Sequence, residues 1–109
     1  MKLVIAIVQD QDTARLIKTM MKEGFSATRL STTGGFLRAG NTTLLIGVEE
    51  ERIDTCLEII ERICKTRTQK LAATTPMEGA AFIHDAADIE IRVGGATVFI
   101  LSVDEFKKL

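Results

Sequence analysis

Ser31-Thr32-Thr33-Gly34-Gly35-Phe36-Leu37-Arg38-Ala39-Gly40-Asn41-Thr42-Thr43 is a glycine-punctuated, hydroxyl-rich stretch, and what flanks it decides the fold. Residues 25–33 alternate loosely between apolar and polar and predict a strand; residues 41–48, with Leu44, Leu45 and Ile46 as their apolar centre, predict another. Turn-forming residues between two such runs read as a hairpin whose tip carries Phe36 and Leu37. Glycine reaches φ > 0 without steric cost, so Gly34, Gly35 and Gly40 also let backbone N–H groups come close to a ligand. An exposed Phe36-Leu37 pair calls for a cover. Two covers suit the pattern equally: a flat molecule with polar edges, or a neighbouring subunit.

Outward from the hairpin lie two helices. On the N-terminal side, residues 2–9 form a continuous apolar run (Leu3 to Val8), as a central strand does. Asp10 or Asp12 is then expected to cap a helix with Ala14, Ile17, Met20 and Met21 on one side, Leu16 alongside, and Gly24 as its stop. On the C-terminal side, Ile53, Cys56, Leu57, Ile60, Ile63 and Cys64 step along one helical stripe. Glu49, Glu50 and Glu51 crowd its start and Arg62, Lys65 and Arg67 its end, matching the helix dipole. Residues 66–88 lack sustained periodicity, contain Pro76, and read as a long loop of the functional or mobile kind. Strands over residues 89–93 and 97–103 follow, with Gly94-Gly95 suited to a tight hairpin turn between them.

The order is βαββα plus a terminal β-hairpin. That is an α+β chain of ferredoxin-like split βαβ type, an antiparallel sheet with both helices on one face. The opposite sheet face, rich in apolar positions, then needs cover, for which a second copy of the chain is the natural candidate. No repeat or second domain is visible, so residues 1–109 read as a single domain.

Composition excludes several classes of function. A net charge of -1 argues against a nucleic-acid partner held by phosphate neutralisation and against a polybasic membrane surface. Leu3 to Val8 is too short to span a bilayer and has no cleavage site after it, so no membrane insertion or signal peptide is expected. Cys56 and Cys64, eight residues apart on one helix, are too far apart for a disulfide and read as buried thiols of a reducing, cytoplasmic compartment. With His84 the one histidine, no metal site is expected. His84 also stands without a nucleophile beside it, and Ser26, Ser31 and Ser102 have no histidine partner, so no catalytic residues are assigned. Gly34, Gly35 and Gly40 have the wrong spacing for a phosphate-cradling loop. Asp10 and Asp12 read as structural rather than as a catalytic pair.

What remains is a binding constellation. Thr28, Thr32, Thr33, Asn41, Thr42 and Thr43 offer small donors and acceptors, and Asn41 can do both at once, as a nucleobase edge requires. Phe36, Leu37 and Phe99 can supply stacking or apolar walls, and Gly35 and Gly47 leave room for close backbone contact. Arg29, Arg38 and Arg92 are candidates to face phosphate.

Val8-Gln9-Asp10-Gln11-Asp12, Ala27-Thr28-Arg29-Leu30, the long loop from Thr32 to Thr43, Gly47-Val48, Thr75-Pro76-Met77, Val93-Gly94-Gly95-Ala96-Thr97-Val98-Phe99 and Val103-Asp104-Glu105-Phe106 together resemble the PII-like cyclic di-AMP receptor family. The resemblance implies a ferredoxin-like subunit of a homotrimer, with cyclic di-AMP, and no cofactor, held in clefts between subunits. It implies that Thr28, Asn41 and Gly47 help bind an adenine and that Gly35, Phe36, Leu37 and Phe99 line the pocket, with Ala27 beside Thr28. It further implies a non-enzymatic signalling role, in which the ligand reorders long loops that engage a downstream protein. This chain departs from the family at Ser26, where a basic residue is usual, and at Lys108, where a glutamine-type residue is. It departs again at residues 78–85, which replace a glycine- and tyrosine-proline-rich passage. The alternative reading is a trimeric interaction module that regulates a partner and binds another nucleotide or none.

Overall fold

The structure, a computed structural model, describes residues 1–30, 40–70 and 90–109. The apolar run at the start forms β1 (Lys2–Gln9), which is followed by α1 (Asp10–Lys22), β2 (Ser26–Leu30) and β3 (Asn41–Val48). A 3-10 turn (Glu50–Arg52) leads into α2 (Ile53–Cys64), and β4 (Arg67–Lys70), β5 (Glu90–Val93) and β6 (Ala96–Ser102) complete the chain. Four strands form an antiparallel sheet in the order β2-β3-β1-β6. The apolar continuity of Leu3 to Val8 is thus explained: β1 is flanked on both sides. This is the ferredoxin-like arrangement expected from the element order.

Because side chains alternate along a strand, one parity of the sheet faces the helices. Val4, Ala6 and Val8 of β1 and Leu44, Ile46 and Val48 of β3 are buried there against Leu16 and Met20 of α1 and Cys56, Ile59, Ile60, Ile63 and Cys64 of α2. The stripe on α1 is rotated from the expected one: Thr13, Leu16 and Met20 are buried, while Ala14 and Met21 are exposed. Thr13 can turn inward because its hydroxyl donates to the Gln9 carbonyl at 3.1 Å. On α2, Ile59 joins the core and Leu57 is only half-buried.

Neither Asp10 nor Asp12 caps α1; Gln9 stands at that position without a side-chain cap bond. The Asp10 amide instead donates to the Gly40 carbonyl (2.8 Å), and its carboxylate accepts from the Thr42 hydroxyl. Asp12 is buried and pairs with the Arg67 guanidinium at 2.7 Å, which ties the start of α1 to the start of β4. Asp12 raises the Arg67 pKa further above its ordinary value. Both carboxylates still lie in the first turn, where the helix dipole favours them.

At its other end α1 stops as expected. Gly24 has φ +88°, the Phe25 amide reaches back to the Met20 carbonyl (2.8 Å) and the Gly24 amide to that of Met21 (3.1 Å), the paired bonds of a Schellman stop. The Arg52 guanidinium lies 4.1 Å over the Phe25 ring and donates to the Glu23 carbonyl at 2.8 Å. Arg52→Ala is therefore expected to lower stability by about 1–2 kcal/mol. Arg52→Lys should recover only part of that, because ammonium lacks the planar fork. Urea unfolding midpoints of the three proteins check this.

The last two strands form where expected but do not pair with each other. β5 pairs with β4 in a separate two-stranded sheet, and β6 pairs with β1. Gly94 and Gly95, with φ of +91° and +95°, turn the chain from one sheet into the other rather than closing a hairpin. Gln9 Oε1 accepts from the Gly94 amide (2.8 Å), and the Gly95 amide donates to the Cys64 carbonyl. The stretch read as one loop over residues 66–88 opens with β4, and residues 71–89 lie outside the described residues.

Candidate functional site

The sheet face turned away from the helices carries the candidate residues in register. Thr28, Leu45, Ile5 and Phe99 form one line across all four strands, and Ser26, Gly47, Leu3 and Leu101 form the next. Gly47 leaves a gap in its line between Ser26 and Leu3 because it has no side chain there. Beside that gap opens a cleft of about 500 Å³, lined among others by Ser26, Thr28, Leu45 and Gly47 from the sheet and by Val103 and Phe106 from the tail after β6. The Met1 side chain lies in it too, its methyl 3.3 Å from where a Cβ on Gly47 would stand.

Of the residues expected to bind a ligand, the chain brings Thr28 and Gly47 together at this cleft. Ala27 has the opposite parity and packs its methyl against the core, so its side chain does not reach the cleft. Asn41 shares the open face with Gly47 but sits six residues up β3, about 20 Å away at strand rise, opposite Gln9. Phe99 shares the line of Thr28 but lies three strand spacings away, about 14 Å, on the far edge strand, where it is 52% exposed. Gly35, Phe36 and Leu37 lie outside the described residues, as do Arg38 and His84. Thr43, two residues from Asn41, has a buried hydroxyl with no hydrogen-bond partner among the described residues.

Lys2, Val103 and Phe106 are among the cleft residues not singled out from the sequence as ligand contacts. Lys2 donates to the Ser102 hydroxyl at 2.8 Å and stands 4.0 Å from Glu50. Phe106 is an isolated aromatic in a charged tail, Asp104-Glu105-Phe106-Lys107-Lys108, and that isolation was the available signal.

The two cysteines lie on the other side of the sheet from this cleft, on α2 within the core. Burial pushes the Cys56 thiol up to about 11, against the opposing pull of Arg52. Burial, with Asp12 nearby, pushes Cys64 up to about 11 as well. At neutral pH both are thiols, poor nucleophiles and poor metal ligands. Among the described residues no group of three His, Cys, Asp or Glu side chains is placed to hold a metal ion, and no helix is long and apolar enough to cross a membrane.

A ferredoxin-like domain with an open sheet face, a glycine-floored cleft and hydroxyls at its rim is of the kind that receives a small polar ligand. The chain belongs to the cyclic-di-AMP receptor family, whose model matches residues 1–109. It is also similar to a functionally unknown protein from Pediococcus pentosaceus ATCC 25745, known from its crystal structure. The two share 45% sequence identity with a TM-score of 0.75, over 99% of this chain and 96% of that one.

Proposed function

We propose that this chain is a non-enzymatic receptor that binds cyclic di-AMP in clefts between the subunits of a homotrimer and signals by rearranging its long loops. The observation that carries the proposal is the cleft over Gly47, rimmed by Thr28 and Ser26, in a chain whose whole length matches the receptor family. An adenine set against Gly47 has backbone on one face and the Thr28 hydroxyl at its edge. Asn41 cannot meet that base from the same chain, since about 20 Å of strand separates it from Gly47. A second copy therefore supplies it, and the exposed apolar edge strand (Phe99, Ile100 and Leu101) gives that copy a surface to cover. The trimer, the loop movement and a downstream protein partner are parts of this proposal.

Sharing of the site is testable by mixing. Asn41→Ala removes a polar contact and should weaken cyclic di-AMP binding by about 1–3 kcal/mol. A variant blocked at Gly47 should bind weakly on its own. Unfolded and refolded together, the two should form hybrids in which an intact Gly47 faces an intact Asn41, and part of the binding should return. No recovery in hybrids of confirmed mixed composition would place both contacts on one chain and overturn the shared site.

A further inference from the structure

We infer that Phe106 is the aromatic wall of the cleft over Gly47, the surface on which the bound purine stacks. The inference rests on the cyclic di-AMP reading above and names a contact that reading does not contain. β6 ends at Ser102, opposite Lys2, and the chain beyond it is fastened to the start of β1 by the Val103 amide, which donates to the Met1 carbonyl at 3.2 Å. The tail then runs past the Met1 end of the sheet, so that Val103 and Phe106 line the same cleft as Ser26, Thr28 and Gly47 of β2 and β3. Among the described residues that line the cleft, Phe106 is the one aromatic.

The chemistry of the cleft suits a flat heteroaromatic ring. Hydroxyls on Thr28 and Ser26 can meet the polar edge of a base, and the bare backbone at Gly47 admits one of its faces closely. The other face needs an apolar plane, which a phenyl ring supplies. Phe99 cannot serve this cleft from the same chain, because three strand spacings separate it from Thr28. Phe106 is 67% exposed between acidic and basic neighbours, with no share in the core cluster, and stacking on a ligand gives its ring a use there.

The chain contains no Trp and no Tyr, so Phe106→Trp installs a single indole reporter. Cyclic di-AMP is titrated calorimetrically against wild type, Phe106→Leu and Phe106→Trp, with the mass of each measured by light scattering. Phe106→Leu keeps apolar bulk but loses the ring, and its affinity should fall about 10-fold at unchanged mass. Phe106→Trp should bind like wild type and change its indole emission as the sites fill. Wild-type affinity in Phe106→Leu, or an indole indifferent to saturating ligand, would overturn the assignment while leaving the receptor reading intact. A fall in the mass of Phe106→Leu would also overturn it, assigning the ring to packing between copies. Absence of binding by wild type itself would remove the receptor reading, and the stacking role with it.

Discussion

Gly94→Ala is expected to destabilise the domain by about 3–5 kcal/mol, a large share of the 5–15 kcal/mol typical of a native protein. Two costs combine. Gly94 has φ +91°, a conformation that strains any residue with a Cβ. A Cβ there would also collide with the Lys65 carbonyl oxygen, lie 2.7 Å from an Arg67 guanidinium nitrogen and lie 3.0 Å from the Cys64 carbonyl oxygen. Backbone at the end of α2 cannot retreat without disturbing the Gly95-to-Cys64 hydrogen bond, and Arg67 is held by Asp12. Gly40→Ala is the matched control. Its φ is also +91°, but no atom of the described residues lies within 4 Å of the added methyl, so only the conformational cost of about 1 kcal/mol is expected. Urea unfolding at one protein concentration compares the two variants. Equal losses would mean that the crowding around Gly94 is not there.

Gly47→Val should do the reverse, leaving the fold intact and weakening ligand binding. Gly47 has no positive φ, and a β-branched residue suits the third strand. The nearest atom to an added Cβ is the methyl end of Met1 at 3.3 Å, the far end of a flexible side chain that can move aside. The valine then stands on the cleft floor, where the base is proposed to lie. An affinity loss of about 10- to 100-fold is expected, equivalent to about 1–3 kcal/mol of overpacking. Circular dichroism and the unfolding midpoint should stay close to wild type. Full affinity in a folded Gly47→Val protein would move the site elsewhere.

The parts of this fold that were legible in the sequence are those written in apolar periodicity. Leu3 to Val8, Leu44 to Val48 and the stripe from Ile53 to Cys64 each declare their element locally, and their order suffices for the ferredoxin-like arrangement. What was not legible depends on contacts between distant residues. Arg67-Thr68-Gln69-Lys70 has no apolar alternation and becomes a strand only by pairing with β5. Gly94-Gly95 has the chemistry of a hairpin turn, but Gln9, 85 residues away, holds the Gly94 amide and the chain crosses to another sheet. Asp12 looked like a cap, and Arg67, 55 residues away, makes it a buried ion-pair partner. The same limit governs the candidate site. Thr28 and Gly47 converge because β2 and β3 are neighbours in register. Ala27 turns its side chain to the core by strand parity, and within one chain Asn41 and Phe99 are kept apart from Gly47 and Thr28 by strand rise and strand spacing. Phe106 reaches the cleft only through the path of the tail, which no local pattern encodes.

The most direct test of the receptor reading is a calorimetric titration of cyclic di-AMP into the purified protein, with cyclic di-GMP and ATP as controls and the mass in solution determined on the same sample. The expected result is saturable binding, selective for cyclic di-AMP, near one ligand per subunit of a trimer. A folded trimer that takes up none of the three nucleotides would contradict it and leave an interaction module, with Ser26 at the rim of a cleft that no longer holds a ligand.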